Sequence, residues 1–170
     1  MATDASIPRA AARSVSDSDG RLALMGLVGT AGLIHLVASV EHLGAEWSLA
    51  AFFLLVGAGQ VAAAWLVHRD PRDERLLTVV AVASVAIALL WVFSRTTGVP
   101  FGPGAGEVQA VGVGDTIATL LELGFAALAW AVIRRGEAAV AWLGGGMGVR
   151  LTFAVLSLAL MLAAVGGHEH

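Results

Sequence analysis

The chain has 170 residues, of which 58% are hydrophobic and only 14% charged, and its mean hydropathy is +0.82. A soluble domain carries about a quarter charged residues, so this deficit, together with several near-continuous apolar runs, excludes an ordinary soluble domain and predicts an all-α integral membrane helical bundle. Cysteine is absent, which removes disulfides, thiolate metal sites and Cys nucleophiles; all ten basic residues are Arg, and the Ala, Gly and Val bias suggests a GC-rich bacterial genome.

Residues 1–20 are small and polar without hydrophobic period, and read as a disordered tail. Residues 22–40 form the first predicted span, interrupted only by His35. A cleaved signal peptide is the competing reading, but its apolar region would be shorter and no small-x-small site precedes Glu41. The second span covers 47–67 and holds Gln60; the charged run RDPRDER, with Pro71, ends it. The third span, 76–93, contains no charge. Residues 94–114 are Gly- and Pro-rich, too polar to span, and long enough to suggest a functional or flexible loop. The fourth span, 115–133, is opened by Asp115 as the expected N-cap and carries Glu122 within it. A fifth span is placed at about 149–165, with four spans plus a peripheral last helix as the alternative; AVAWL at 139–143 would lie in the interface, and 168–170 form a His/Glu tail.

Arginine placement gives the orientation. Nine of the ten lie before span one, between spans two and three, or between spans four and five; only Arg95 falls in the other set of segments. The N-terminus is therefore expected on the cytoplasmic side of a bacterial plasma membrane. On that division the outer side carries six carboxylates against Arg95, net −5, and the inner side nine Arg against seven carboxylates, net +2. Four of the five histidines, all but His68, are also outer.

Seven residues advance a helix by almost two turns, within about 20° of the starting direction. His35 and His42 thus share a face of span one, and Asp115 and Glu122 share a face of span four. With a rise of about 1.5 Å per residue, His35 and Glu122 both lie about 10 Å below the outer ends of their helices. Two layers follow if the spans are neighbours: His42 with Asp115 at the boundary, and His35 with Glu122 beneath. A lone carboxylate in hydrocarbon must be neutral or find a donor, and an imidazole can supply one. One reading is a divalent transition-metal site built from His35, His42 and Glu122, with Asp115 or Glu41. A second is a hydrogen-bonded His–Glu pair that fastens two helices. A third is movement of protons or other ions through Glu122, His35 and Gln60. The spacing is less specific than an HExxH motif.

Arg95 is expected either to snorkel to the interface or to pair with Glu107, Asp115 or Glu122. Gln60 reads as helix–helix glue before it reads as a ligand. The five Trp residues fall near span ends, as interfacial anchors do. Haem stays open in principle, since two helices can supply axial His ligands. No phosphate-binding glycine loop, Ser/His/Asp arrangement or nucleic-acid patch is apparent, and the pattern points away from an enzyme.

The combination H-x5-E-H-x3-E-W, then F-F and a span-two Gln, then S-R-T-x-G-x-P-F-G-P, then V-G-x-x-D and a Glu seven on, resembles small membrane proteins of actinobacteria without an assigned activity. It rests on His35, Glu41, His42, Glu46, Trp47, Phe52, Phe53, Gln60, residues 94–103, Val111 or Val113, Asp115 and Glu122, within residues 25–130. The resemblance implies a membrane protein of that group and nothing about substrate. The function expected is therefore a non-enzymatic outer-side cation site in a lipid-embedded bundle. The alternatives are a structural or assembly subunit, for which Gly26, Gly29, Gly32, Gly57 and Gly59 would pack on membrane-protein partners or a second copy, and a small proton or ion transporter.

Overall fold

The computed structural model describes residues 9–100, 102, 104–136 and the isolated positions 150 and 157, with side chains from Gly20 onward. Four helices account for most of these: α1 (Arg9–His42), α2 (Trp47–Arg69), α3 (Glu74–Thr96) and α4 (Val113–Arg135). Each contains a 23-residue stretch apolar enough to cross a membrane, about 34 Å at 1.5 Å per residue and so matched to a hydrocarbon core of about 30 Å. The chain is a multi-pass, all-α membrane bundle. The expected fifth span, the AVAWL segment and the terminal His/Glu tail lie outside the described residues.

Two boundaries differ from the sequence reading. Helix α1 begins at Arg9, so residues 9–20, expected as a disordered tail, are helical. Ala10 to Ala12 are strong helix formers, and the 34-residue helix is longer than the bilayer requires, its apolar part starting only at Gly20. Helix α4 begins two residues before Asp115: Gly112 is its N-cap, and Thr116 Oγ1 donates to the Gly112 carbonyl at 2.7 Å. Asp115 is therefore not the cap, and its carboxylate is engaged elsewhere.

The turn between α2 and α3 is built by local chemistry. The Asp70 N–H closes α2 on the Leu66 carbonyl at 2.9 Å, Pro71 forbids continuation, and Asp73 caps α3 by accepting from the Arg75 and Leu76 N–H groups. Helix α4 ends at Gly136, whose φ of 54° suits a residue without Cβ.

Helix α1 packs most extensively against α2 and also against α4; α4 packs on α3, while α2 and α3 meet least. The α1–α2 seam is close because it is made of glycine. A Cβ on Gly57 would stand 2.8 Å from the Gly32 carbonyl oxygen and 2.9 Å from Leu36 N; a Cβ on Gly32 would stand 2.9 Å from the Gly57 carbonyl. Such small-residue contacts let backbones approach in the absence of a hydrophobic driving force. Of the glycines expected to face partners, Gly29, Gly32 and Gly57 are engaged inside this seam, whereas Gly59 faces open space.

Side-chain placement divides the bundle along its axis. Toward the end that carries Arg21, Arg69, Arg72, Arg75, Arg134 and Arg135, the interior is apolar: Leu24, Val28, Ala64, Val67, Leu77, Val80, Phe125 and Ala129 form one cluster. Toward the arginine-poor end and the middle, the buried positions include His35, Ser39, Gln60, Ser94, Thr119 and Glu122. Large apolar side chains such as Leu55, Val79, Val82 and Leu89 lie outside, as they must where lipid is the solvent. Trp65 and Trp130 carry Arg69 and Arg134 on their ring faces at 3.7 and 4.9 Å, which marks the interfacial level of the arginine-rich end.

Candidate polar site within the bundle

Three helices converge on one hydrogen-bonded chain. Gln60 of α2 donates from Nε2 to Glu122 Oε1 of α4 at 2.6 Å, and its Oε1 accepts from His35 Nδ1 of α1 at 2.9 Å. Because the amide oxygen can only accept, Nδ1 is the proton-bearing nitrogen of His35, and in the neutral ring the lone pair lies on Nε2. The His35 and Glu122 groups approach to 4.0 Å. All three residues are buried, and Glu122 is only 1% exposed. The glycine seam sets this register: the Cβ of Gln60 lies 3.0 Å from the place a Gly32 side chain would occupy, so the contact that brings α1 and α2 together also aims Gln60 between His35 and Glu122.

Phe53 of α2 forms the other wall. Its ring stacks on His35 at 5.8 Å and 18°, meets His42 at 5.2 Å and 50°, and receives the edge of Phe52 at 5.4 Å. His42 donates from Nδ1 to the Ala38 carbonyl one turn back, at 2.8 Å. The two histidines thus share a helix face, as their spacing predicts, but an aromatic ring sits against both.

The boundary layer is built differently from the expected His42–Asp115 pair. Asp115 forms an ion pair with Arg95 of α3, while Arg95 Nη1 also donates to Ser94 Oγ at 2.7 Å. The Ser94 carbonyl in turn accepts from Gln109 N at 3.0 Å, and Val99 O accepts from Gly106 N at 2.8 Å, which folds the α3–α4 loop back on itself. Gly98, with a φ of 74°, is required there, since a Cβ would stand 2.6 Å from the Gly106 carbonyl carbon. Of the two expectations for Arg95, pairing is the one observed.

The metal-ligating set named from the sequence is only partly assembled. His35 and Glu122 come together, His42 and Asp115 have other partners, and Glu41 is exposed. Among the described residues no three His, Asp or Glu side chains are grouped so that they could hold a metal ion. Gln60 joins three helices, as its reading as helix–helix glue predicts, and an amide in an otherwise apolar run was the signal. Phe53 gave no such signal, because an aromatic in a membrane span is unremarkable in one dimension.

No protein-family model matches this chain, and neither a characterised protein nor a solved structure does.

Proposed function

We propose that this protein is a plasma-membrane protein of bacteria, with its N-terminus cytoplasmic, that takes up a cation at a buried His35–Gln60–Glu122 centre, the proton being the cation its donors suit best. One observation carries the reading: two titratable groups from different helices are held 4.0 Å apart and joined through an oriented amide. Ionisable groups within a membrane span are costly unless paired or used. A proton needs no third ligand, whereas a tetrahedral metal site does. The arginine asymmetry supports this orientation, with the centre in the outer half.

The same geometry favours a second reading, in which the centre is a fastener for α1, α2 and α4 and the protein is a structural or assembly subunit. Glu122→Gln separates the two, because the amide retains an acceptor for Gln60 but cannot titrate. In protein reconstituted in lipid, infrared difference spectra recorded as pH is varied are expected to contain a carboxyl C=O band that Glu122→Gln removes, with folding unchanged. A pH-independent spectrum, with destabilisation in Gln60→Leu alone, overturns proton uptake and leaves the fastener. Metal analysis of the wild type against His35→Ala tests the metal alternative, since stoichiometric metal lost in the variant would displace the proton reading. A fifth span over 149–165 is part of the proposal, and protease accessibility of the C-terminus tests it.

A further inference from the structure

An aromatic ring lies between the buried centre and the arginine-poor end of the bundle. Phe53 stands seven residues before Gln60, so both project from one face of α2, with Phe53 about 10.5 Å nearer that end. His42 stands in the same relation to His35 on α1, which runs the opposite way. The Phe53 ring centroid is 5.8 Å from that of His35 and 5.2 Å from that of His42. The two histidines are themselves separated along α1 by about 10.5 Å. A ring this close to both lies between them.

The ring separates two environments. On the side of the centre, His35, Gln60 and Glu122 are buried. On the side of the arginine-poor end, His42 is half-buried, and its Nδ1 donates to the Ala38 carbonyl, so the neutral ring carries its lone pair on Nε2. Ser39 and Thr119, also buried, stand one turn toward that end from His35 and Glu122, so hydroxyls occupy the depth that the ring closes off. Phe53 itself is only half-buried. A ring that swings out from a membrane helix meets lipid tails as apolar as itself, so opening loses packing contacts without a hydrophobic penalty. The charged groups at the level of His42 are Glu41 of α1, Glu46, whose N–H donates to the His42 carbonyl at 2.9 Å, and Asp115 of α4 in its ion pair with Arg95 of α3. The carboxylate beside His35 is Glu122, at 4.0 Å.

We infer that Phe53 is the gate between the centre and the outer side, and that His42 is the residue that exchanges protons across it. The inference rests on the proton reading above. With the ring in place, the two imidazoles are held apart by a hydrocarbon that cannot carry a proton. With the ring swung out, water enters beside Ser39 and Thr119 and bridges the gap. The proton leaves Nε2 of protonated His42 and ends on the Glu122 carboxylate, and His42 takes its replacement from the outer aqueous phase.

The test uses the full chain reconstituted in lipid, with the carboxyl C=O band followed in time after a rapid drop in pH. Phe53→Ala is expected to speed the rise of the band about tenfold, which corresponds to about 1.4 kcal/mol of barrier, with its final amplitude that of wild type. Phe53→Leu, which keeps an apolar side chain in place, guards against loss of folding in the alanine variant and is expected to shift the rate the same way by less. His42→Ala is expected to slow the rise about a hundredfold, the lower end for a positioned proton-transfer group. Imidazole in the buffer should restore that rate, which it would not do for a merely structural histidine. A rate unchanged or lowered in both Phe53 variants overturns the gate, and a wild-type rate in His42→Ala overturns the exchange role, in each case with the proton reading intact. A wild type without the band removes that reading and this inference together.

Discussion

The two halves of this bundle solve the packing problem with different chemistry. Near the arginine-rich end, α1, α2, α3 and α4 meet through Leu24, Val28, Val67, Leu77 and Phe125, a cluster without a polar atom in its side chains. Beginning about one turn farther along the bundle, α1, α2 and α4 meet through His35, Gln60 and Glu122, joined by hydrogen bonds of 2.9 and 2.6 Å. The apolar half can be held only by shape, since lipid tails are as apolar as leucine. The polar half is held by directional bonds whose net worth in a membrane averages about 0.6 kcal/mol each. Polar contacts that contribute so little to stability are better suited to a role that needs them to change. The contrast also bears on transport: the polar chain stops at an apolar cluster, and no titratable side chain among the described residues continues it through that cluster.

The largest expected effect tests the apolar half. Phe125 is fully buried, and Phe125→Ala should cost about 3 kcal/mol, measured by unfolding in mixed detergent, while the carboxyl infrared band persists in the fraction that folds. Gly57→Leu comes next, at roughly 1–3 kcal/mol from overpacking against the Gly32 carbonyl. Because the same seam aims Gln60, this variant should lose both stability and the pH-dependent signal. Gln60→Leu should cost about 1 kcal/mol by leaving His35 and Glu122 without their shared partner, and should alter the carboxyl band far more than it alters unfolding. A destabilisation equal to that of Phe125→Ala would erase the distinction between the halves and make the polar centre structural. Asp115→Asn is the mildest, about 0.5 kcal/mol for a partly exposed ion pair. Its expected signature is faster amide exchange in the 98–112 loop, with α1 and α2 unchanged.

How much of this could be read in one dimension depended on the range of the interaction. Span positions needed only local hydropathy, and the α2–α3 turn needed only Pro71 and the charged run around it, so both were legible. The facing of His35 with His42, and of Asp115 with Glu122, followed from helical period. The start of α4 was misplaced because Asp115 is a good cap by type, yet Gly112 takes that place and Arg95, twenty residues away, claims the carboxylate. The start of α1 was misplaced because polarity was read as disorder in a segment that is helical beyond the membrane.

The sequence by itself determined that this is a membrane bundle, that its arginines gather at one end, and that its intramembrane ionisable groups lie toward the other. These properties follow from composition and period, which any lipid-embedded helix must obey. Only the tertiary structure decided which of those groups meet. Two rows of residues at matching depths could have paired His42 with Asp115 and His35 with Glu122. Instead the close approach of Gly32 and Gly57 inserts Gln60 between the lower pair, and Arg95 takes Asp115 from the upper one. Partner choice is set by backbone separation and helix rotation, which depend on the side chains of a neighbouring helix.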